Sequence, residues 1–457
     1  MAKQTDATPA GACLASSYSL YDFDPQFDGQ WQGITAATDG ACYFASSTHS
    51  YRRGAALYRF SPDAGTVSVL ASDITTVCGE NPAETAPQGK IHSPIVEADG
   101  WLYFSTHLGN YWDGAPERYP GAHVIGYHMR SGKFRDFGVV RDRFTIYSAI
   151  GVDPQRNKLF AFVVPWAPED VANDGCHVFR ISLDSGEKED LGRIGAAGRV
   201  ACFWFFVDHT GDCWFSMWSG NGAFAAGGHG HLYRLRADAD RVEVTKDILP
   251  DCRVMYTDEQ PLPGGEQAIA NRGWTWASAT RERDRCLFLQ GMFGGDDERL
   301  WSFTPPQDQV TRDDFHSIGC PGPTFLATAL GGDRVYYIQR ENLAAARGWV
   351  AEFERDRDPD SIGWVEAVHR ENLHLKSISI SPTDHGTVID HGQITDQDGR
   401  TPRHIDSLAA DDAGRVYMVG SWHLLPGEPG TQQILWETTR EFVEVKRGER
   451  FAYVDTR

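Results

Sequence analysis

The chain has 457 residues, 41% of them hydrophobic and 23% charged, which describes a folded protein with a large core and excludes both a disordered polypeptide and a small disulfide-stapled scaffold. A net charge of −20, from 43 lysines and arginines against 63 aspartates and glutamates, argues against nucleic acid as a partner and makes each basic side chain in a cleft informative. No apolar run approaches the ~18 residues needed to cross a bilayer, and Met1–Ser17 lacks a basic stretch followed by an apolar one. The expectation is a soluble chain with no membrane partner, cytoplasmic without an export signal, or periplasmic or secreted with the signal removed.

In chain order, a turn followed by a short aromatic strand recurs seven times: Asp39–Phe44, Asp99–Phe104, Arg156–Phe160, Thr210–Phe215, Arg283–Phe288, Gly332–Tyr337 and Ala413–Met418. An alternating strand follows each after a loop: Leu57–Phe60, Val124–Tyr127, Val178–Ile181, Leu232–Leu235, Leu300–Phe303, Val350–Phe353 and Ile434–Trp436. Intervals of 60, 56, 55, 73, 49 and 81 residues separate Phe44, Phe104, Phe160, Phe215, Phe288, Tyr337 and Met418, with insertions in the fourth and sixth. Ser182-Leu-Asp-Ser-Gly186 and Arg130-Ser-Gly132 read as the hairpin turns that close two units. No helical periodicity is sustained, so parallel βαβ units are excluded. The fold class is therefore all-β, and a single-domain seven-bladed β-propeller over residues 18–457, after an N-terminal tail of residues 1–17, is the economical architecture; a pair of β-sandwiches is the alternative. Tyr18–Phe27 is expected to supply an outer strand to the last blade. The nine cysteines are scattered and form no Cys-x-x-Cys pair, so they propose neither a zinc ribbon nor a disulfide framework, and most read as buried thiols.

Inner strands of such a fold line a channel, so polar residues near them are the candidates. Lys90-Ile-His-Ser-Pro94 opens the second unit and places His92 on an expected innermost strand; His107 ends the strand that follows. Tyr147, in Phe144-Thr-Ile-Tyr-Ser-Ala-Ile150, starts the next inner strand and could face either histidine. An imidazole and a phenol flanking a sugar ring suit β-elimination, one removing the proton next to a carboxylate and the other protonating the departing oxygen. A cation must stabilise the enediolate, and Arg272 or Arg403 could serve. Trp112, Trp166, Trp218, Trp274 and Trp422 stand where loops leave strands and could offer platforms for sugar rings or fill space between blades. Gly228-His-Gly-His231 could hold a metal on one strand face, but reads more simply as a glycine-rich loop. His404 and His423 lie near the last unit and could reach the channel.

These residues also carry a resemblance. Lys90-Ile-His-Ser93, the strand Leu102-Tyr-Phe-Ser-Thr-His107, Tyr119-Pro-Gly-Ala-His123, Ile146-Tyr-Ser-Ala-Ile150 before Asp153-Pro154, Asp390-His-Gly-Gln-Ile394 and Asp406-Ser-Leu408 with Gly414–Trp422 resemble the seven-bladed propeller polysaccharide lyases that include ulvan lyases and rhamnose–glucuronate lyases. The resemblance implies a carbohydrate substrate carrying a uronic acid and acid–base or binding roles for His92, His107 and Tyr147. His123, Trp166, Arg272, Trp274, Arg403 and Trp422 are the accompanying substrate-binding candidates. It also implies that calcium or zinc could be held structurally, with ligands the sequence does not identify, and that the chemistry itself needs no cofactor. One departure stands out: the strand after the tyrosine, Leu159–Trp166, lacks the arginine that neutralises the uronate in such lyases, so charge neutralisation must come from elsewhere or the chemistry differs. Two other readings remain open, a non-catalytic propeller that binds a glycan or a protein, and an enzyme that acts on a small glycoside by a different elimination or by hydrolysis.

Overall fold

The computed structural model describes residues 11–23, 27, 29–111, 114–195, 197–198, 202, 205–216, 231–246, 248–249, 275–281, 285–289, 300–319, 324–340, 373–423, 425 and 449–457. Its strands run, in chain order, β1 (Cys13–Ser19), β2 (Ile34–Ala36), β3 (Cys42–Ser46), β4 (Ala56–Ser61), β5 (Thr66–Ala71), β6 (Val96–Ala98), β7 (Trp101–Ser105), β8 (His123–His128), β9 (Lys133–Val139), β10 (Phe144–Asp153), β11 (Lys158–Pro165), β12 (Cys176–Ser182), β13 (Lys188–Ile194) and β14 (Phe205–Val207). They continue with β15 (Cys213–Phe215), β16 (Leu232–Leu235), β17 (Val242–Thr245), β18 (Thr275–Arg281), β19 (Arg285–Leu289), β20 (Leu300–Phe303), β21 (Phe315–Gly319), β22 (Thr324–Gly331), β23 (Arg334–Arg340), β24 (Leu373–Ser379), β25 (Val388–Asp396), β26 (Pro402–Ala410), β27 (Arg415–Trp422) and β28 (Glu449–Asp455). Helices among the described residues are short, the longest being Pro168–Asn173.

Consecutive strands form five four-stranded antiparallel sheets, β2 to β5, β6 to β9, β10 to β13, β14 to β17 and β18 to β21. The remaining eight strands make one sheet in the order β22-β23-β24-β25-β1-β28-β27-β26, where β1 pairs parallel with β25 and antiparallel with β28. The N-terminal strand thus docks on the C-terminal one, as the sequence suggests, but it begins at Cys13, inside the segment read as a tail, and ends at Ser19. The strand half of each of the seven units coincides with a described strand. The expected partner strands at 350–353 and 434–436 lie outside the described residues; β23 pairs instead with β24, and β27 with β28, each after a long insertion.

Turn chemistry explains why the units repeat. Asp39, Asp153, Asp208 and Asp411 each accept, through Oδ1, the backbone N–H two residues ahead, an Asx turn that aims the chain into the following aromatic strand. The hairpins at Arg130–Gly132 and Ser182–Gly186 close with glycine N–H groups donating to the His128 and Ser182 carbonyls, and both glycines adopt positive φ, +68° and +79°.

Each sheet shares an apolar cluster with its neighbour. Tyr43, Leu57, Leu102 and Ile125 join the first and second sheets, and Ile150, Leu159, Tyr103 and Val124 the second and third. The last strands pack on the first sheet through Phe44, Phe60, Tyr417 and Phe451, with the Phe44 and Phe451 rings stacked at 4.3 Å. That return of the end onto the beginning turns a row of sheets into a ring. The sheets' first strands β2, β26, β22 and β18 meet in succession, as do β10 and β14, and define its inner edge. Cys13, Cys42, Cys176, Cys202 and Cys213 are buried free thiols and Cys78 a half-buried one, as their scatter in the sequence suggests.

Candidate active site

Three segments of the first three sheets deliver the expected trio. His107 follows β7, and its backbone pairs with Lys90 through an isolated antiparallel bridge. His92 sits beyond that bridge and before β6, not on an inner strand as the sequence suggests; Pro94 has no N–H to give a ladder there. Tyr147 lies within β10, where the ladder to β11 breaks between Ile146 and Ile150 and Ser148 takes φ +72°. A bulge re-aims the side chains beside it, and a non-glycine residue held at positive φ marks strain that the surroundings must fix.

The rings converge. His92 and Tyr147 lie 4.4 Å apart between centroids, His107 and Tyr147 5.0 Å, and the two imidazoles 5.5 Å. Ser148 Oγ bonds His92 Nδ1 at 2.7 Å, so the strained residue fixes one ring while its neighbour supplies the phenol. Thr145 Oγ1 bonds His107 Nδ1 at 2.6 Å, and Tyr111 Oη meets His107 Nε2 at 2.7 Å. Both imidazoles are buried, at 2% and 0% exposure, while Tyr147, Tyr111, Trp166 and Trp31 are half-buried and form the accessible part of the cluster.

Aromatic surfaces wall it. Trp166, a sequence candidate, stacks on Tyr111 at 4.6 Å and on Tyr147 at 6.0 Å and meets His107 edge-on. Trp31 stacks on His92 at 5.6 Å and meets His49 edge-on. Lys90 is 3% exposed; its ammonium lies 4.7 Å from the Trp31 ring and 4.4 Å from the Tyr111 ring, and donates to Tyr111 Oη at 2.8 Å. Electrostatics follow from this burial. Desolvation first, and the Lys90 charge second, lower the His92 pKa to about 3 and hold His107 well below the usual imidazole range. Both rings are neutral at physiological pH, so His107 Nε2 accepts from Tyr111 when Nδ1 carries its proton, and a chain Lys90 to Tyr111 to His107 results.

Trp31, His49, Lys90, Tyr111, Thr145 and Ser148 are site residues the sequence reading missed. For Lys90 and Thr145 a signal existed: each stands two residues from a chosen candidate in an extended run, hence on the same face. Other candidates do not join the cluster. Trp422 is fully buried among Ile405, Met418 and Ala452, so it packs between strands and offers no face to a sugar. Arg272, Trp274, Trp112, Trp218 and residues 228–230 lie outside the described residues, as do the side chains of Arg403 and His404 on β26; His423 is half-buried, and its N–H donates to the Thr401 carbonyl.

His123 is engaged elsewhere. Its Nδ1 lies 2.9 Å from Asp136 Oδ1 and its Nε2 2.9 Å from Glu80 Oε1. The arrangement recurs: His177 joins Asp190 and Asp174, and His374 joins Asp390, and each of Asp136, Asp190 and Asp390 also accepts the N–H of the glycine two residues on. In all three sheets this histidine clip sits where the ladder between the third and fourth strands slips, so it pins a bulge. For the calcium or zinc implied by the resemblance, no group of three ligand atoms stands at the His92 cluster among the described residues, and the Nδ1 atoms of His92 and His107 are bonded to hydroxyls. Among the described residues the group with three or more His, Cys, Asp or Glu ligand atoms mutually within 4.8 Å is Cys78, His123 and Asp136.

No protein-family model matches the chain, and no curated protein matches it in sequence. Among solved structures it is similar to an oligogalacturonate lyase in complex with manganese, at 10% identity over 100% of this chain and 99% of that one, with a TM-score of 0.50. It is also similar to the oligogalacturonate lyase of Vibrio parahaemolyticus, at 9% identity over 97% and 98% of the two chains and a TM-score of 0.48. A GH74 enzyme of Niastella koreensis follows, at 10% identity, a TM-score of 0.47 and coverage of 89% of this chain and 52% of that one. At such identities the likeness speaks for the fold, and the fold is propeller-like.

Proposed function

We propose that the chain is a single-domain seven-bladed β-propeller, its eight-stranded sheet counting as two blades joined at β25 and β1, and that it is a carbohydrate lyase eliminating across a glycosidic bond next to a uronic acid. The observation that carries this reading is a half-exposed phenol, Tyr147, in contact with two neutral imidazoles beside a buried ammonium. Lys90 supplies the cation missing from Leu159–Trp166. A uronate carboxylate beside it offsets the Lys90 charge, which after burial is the second cause of the depressed imidazoles, so the bound substrate makes His92 a stronger base. His92 takes the proton from the carbon next to the carboxylate; Lys90 stabilises the enediolate; the bond to the departing oxygen breaks as Tyr147 donates its proton to that oxygen, leaving a double bond in the sugar. The imidazolium then returns its proton to the phenolate 4.4 Å away between ring centroids, which resets the site. His107, whose two ring nitrogens are bonded to Tyr111 and Thr145, is assigned the positioning of Tyr111, and His92, held at Nδ1 by Ser148 against Tyr147, the contact with substrate. The half-exposed rings of Trp31, Tyr111 and Trp166 supply apolar faces for the sugars.

The test is to incubate the protein with alginate, pectate, ulvan, glucuronan and gum arabic and to follow the near-ultraviolet absorbance of an unsaturated uronate. Tyr147→Phe is expected to cut turnover by about 10²–10⁴-fold while oligomer binding persists. A blank across the panel overturns the proposal. The second reading, a glycan-binding propeller, draws on the Tyr111–Trp166 stack, and binding without turnover and without an effect of Tyr147→Phe selects it.

A further inference from the structure

We propose that the second sheet carries a zinc-class metal site, distinct from the His92 cluster, formed by Cys78 Sγ, His123 Nδ1 and the Asp136 carboxylate. Their ligand atoms already lie within 4.8 Å of one another, so an ion can sit among them with small side-chain adjustments. The donor set selects the metal. A thiolate and an imidazole with one carboxylate suit zinc, cobalt or another borderline-soft divalent ion, whereas calcium and magnesium take oxygen ligands throughout.

Three further features fit a ligand site. Glu80 Oε1 stands 2.9 Å from His123 Nε2, on the far side of the ring from Asp136, which is the carboxylate–histidine arrangement that leaves the other ring nitrogen to the metal. Asp136 is itself oriented, since its Oδ1 accepts the Gly138 N–H at 2.7 Å. Access is open: His123 is 4% exposed, but Cys78 is half-buried and Asp136 exposed, so an ion can enter without unfolding the sheet. Three ligands leave a fourth position for water.

The repeated clip provides an internal control. His177 with Asp190 and Asp174 reproduces the histidine–carboxylate geometry one sheet later, yet among the described residues only the Cys78 group brings three such ligand atoms together. The histidine–aspartate pair alone is a structural pin; Cys78, at the end of the short helix Ile74–Val77, converts one copy into a site. This inference stands apart from the lyase reading and survives its failure.

The experiment titrates Co²⁺ into the chelator-treated full chain under reducing conditions and follows the near-ultraviolet thiolate-to-cobalt absorption, with Zn²⁺ added afterwards as competitor. One equivalent of cobalt is expected to raise the band, and zinc to abolish it. Cys78→Ala, at a half-buried position, is expected to remove the band, Asp136→Asn to weaken binding at least tenfold, and His177→Gln to leave both unchanged. Absence of the band in the parent protein, or its persistence in Cys78→Ala, overturns the proposal. Circular dichroism of each variant reports folding, so a missing band in a folded Cys78→Ala protein reads as loss of the ligand.

Discussion

Replacing Lys90 by methionine removes one charge from the cluster while keeping an unbranched stem between the Trp31 and Tyr111 rings. In the parent, the ammonium is buried within 4.7 Å of both ring centroids and 2.8 Å from the Tyr111 oxygen. A substrate carboxylate at ~4 Å from such a charge, with an effective dielectric constant near 20, is stabilised by about 4 kcal/mol. Part of that is spent on stripping water from the carboxylate, so the expected loss in kcat/KM is about 10²–10³-fold for an acidic oligomer. The same oligomer as its methyl ester carries no charge for Lys90 to meet and is expected to change less than tenfold. Lys90 is also the second cause depressing both imidazoles, so the His92 and His107 titrations, read by NMR, are expected to move upward in Lys90→Met. Folding is separately controlled, because the lost cation–π contacts, about 1–2 kcal/mol each, are offset by relief from burying a charge. Equal loss on acid and ester, or full activity on the acid, refutes a role for Lys90 in holding the uronate.

Ser148→Ala keeps a non-glycine residue at φ +72° and deletes only the hydroxyl on His92 Nδ1, so stability is expected to fall by about 1 kcal/mol and kcat by roughly tenfold, with KM nearly unchanged; kinetics showing a KM effect alone would contradict the positioning of His92 by this bond. Acid lability is the second expectation. His92 and His107 have folded pKa values lowered by burial, to about 3 for His92, so below the ordinary imidazole value the unfolded chain binds protons that the native chain does not. Stability from these two groups is fully present above about pH 6.5 and is lost as pH falls below it, toward about 3 for His92, at up to about 1.4 kcal/mol per pH unit for each group. Denaturant midpoints measured from pH 7 to 4 should fall faster in the parent than in a His92→Gln, His107→Gln double variant.

The strands were legible because their signals are local. An aspartate-led turn and a run such as Cys-Tyr-Phe or Leu-Tyr-Phe specify an Asx turn and a buried strand with no outside information, and all seven such runs lie in strands. The third strands β24 and β28 were missed where insertions separate them from their partners, since pairing across some 35 residues leaves no trace in periodicity. At the site, His92, His107, Tyr147 and Trp166 were named and do meet. Lys90 opens the same motif, but its burial depends on Trp31 and Tyr111, which stand 59 and 21 residues away in sequence. Ser148 could not have been found: its contact with His92 depends on a bulge that reverses which side chains of β10 share a face, and a one-residue slip in a strand is invisible to alternation. The histidine clips were missed for the opposite reason. His123 and His177 stand thirteen residues before their aspartates, but nothing in either residue alone separates a pin from a ligand.

The placement of Lys90 bears on how a chain of net charge −20 could hold an acidic polymer at all. At long range the two repel, so association cannot depend on steering by the whole surface. Attraction has to arise at contact, and a cation is worth most there when water is excluded around it. Placing an ammonium against two aromatic rings contributes to that, because the rings stabilise the charge through their faces. Burial first, and the same ammonium second, keep the neighbouring imidazoles neutral. On the lyase reading, a carboxylate beside Lys90 would relieve that second contribution, so recognition of the acid and readiness of the base would be coupled through one side chain, and a sugar lacking the carboxylate is expected to react more slowly.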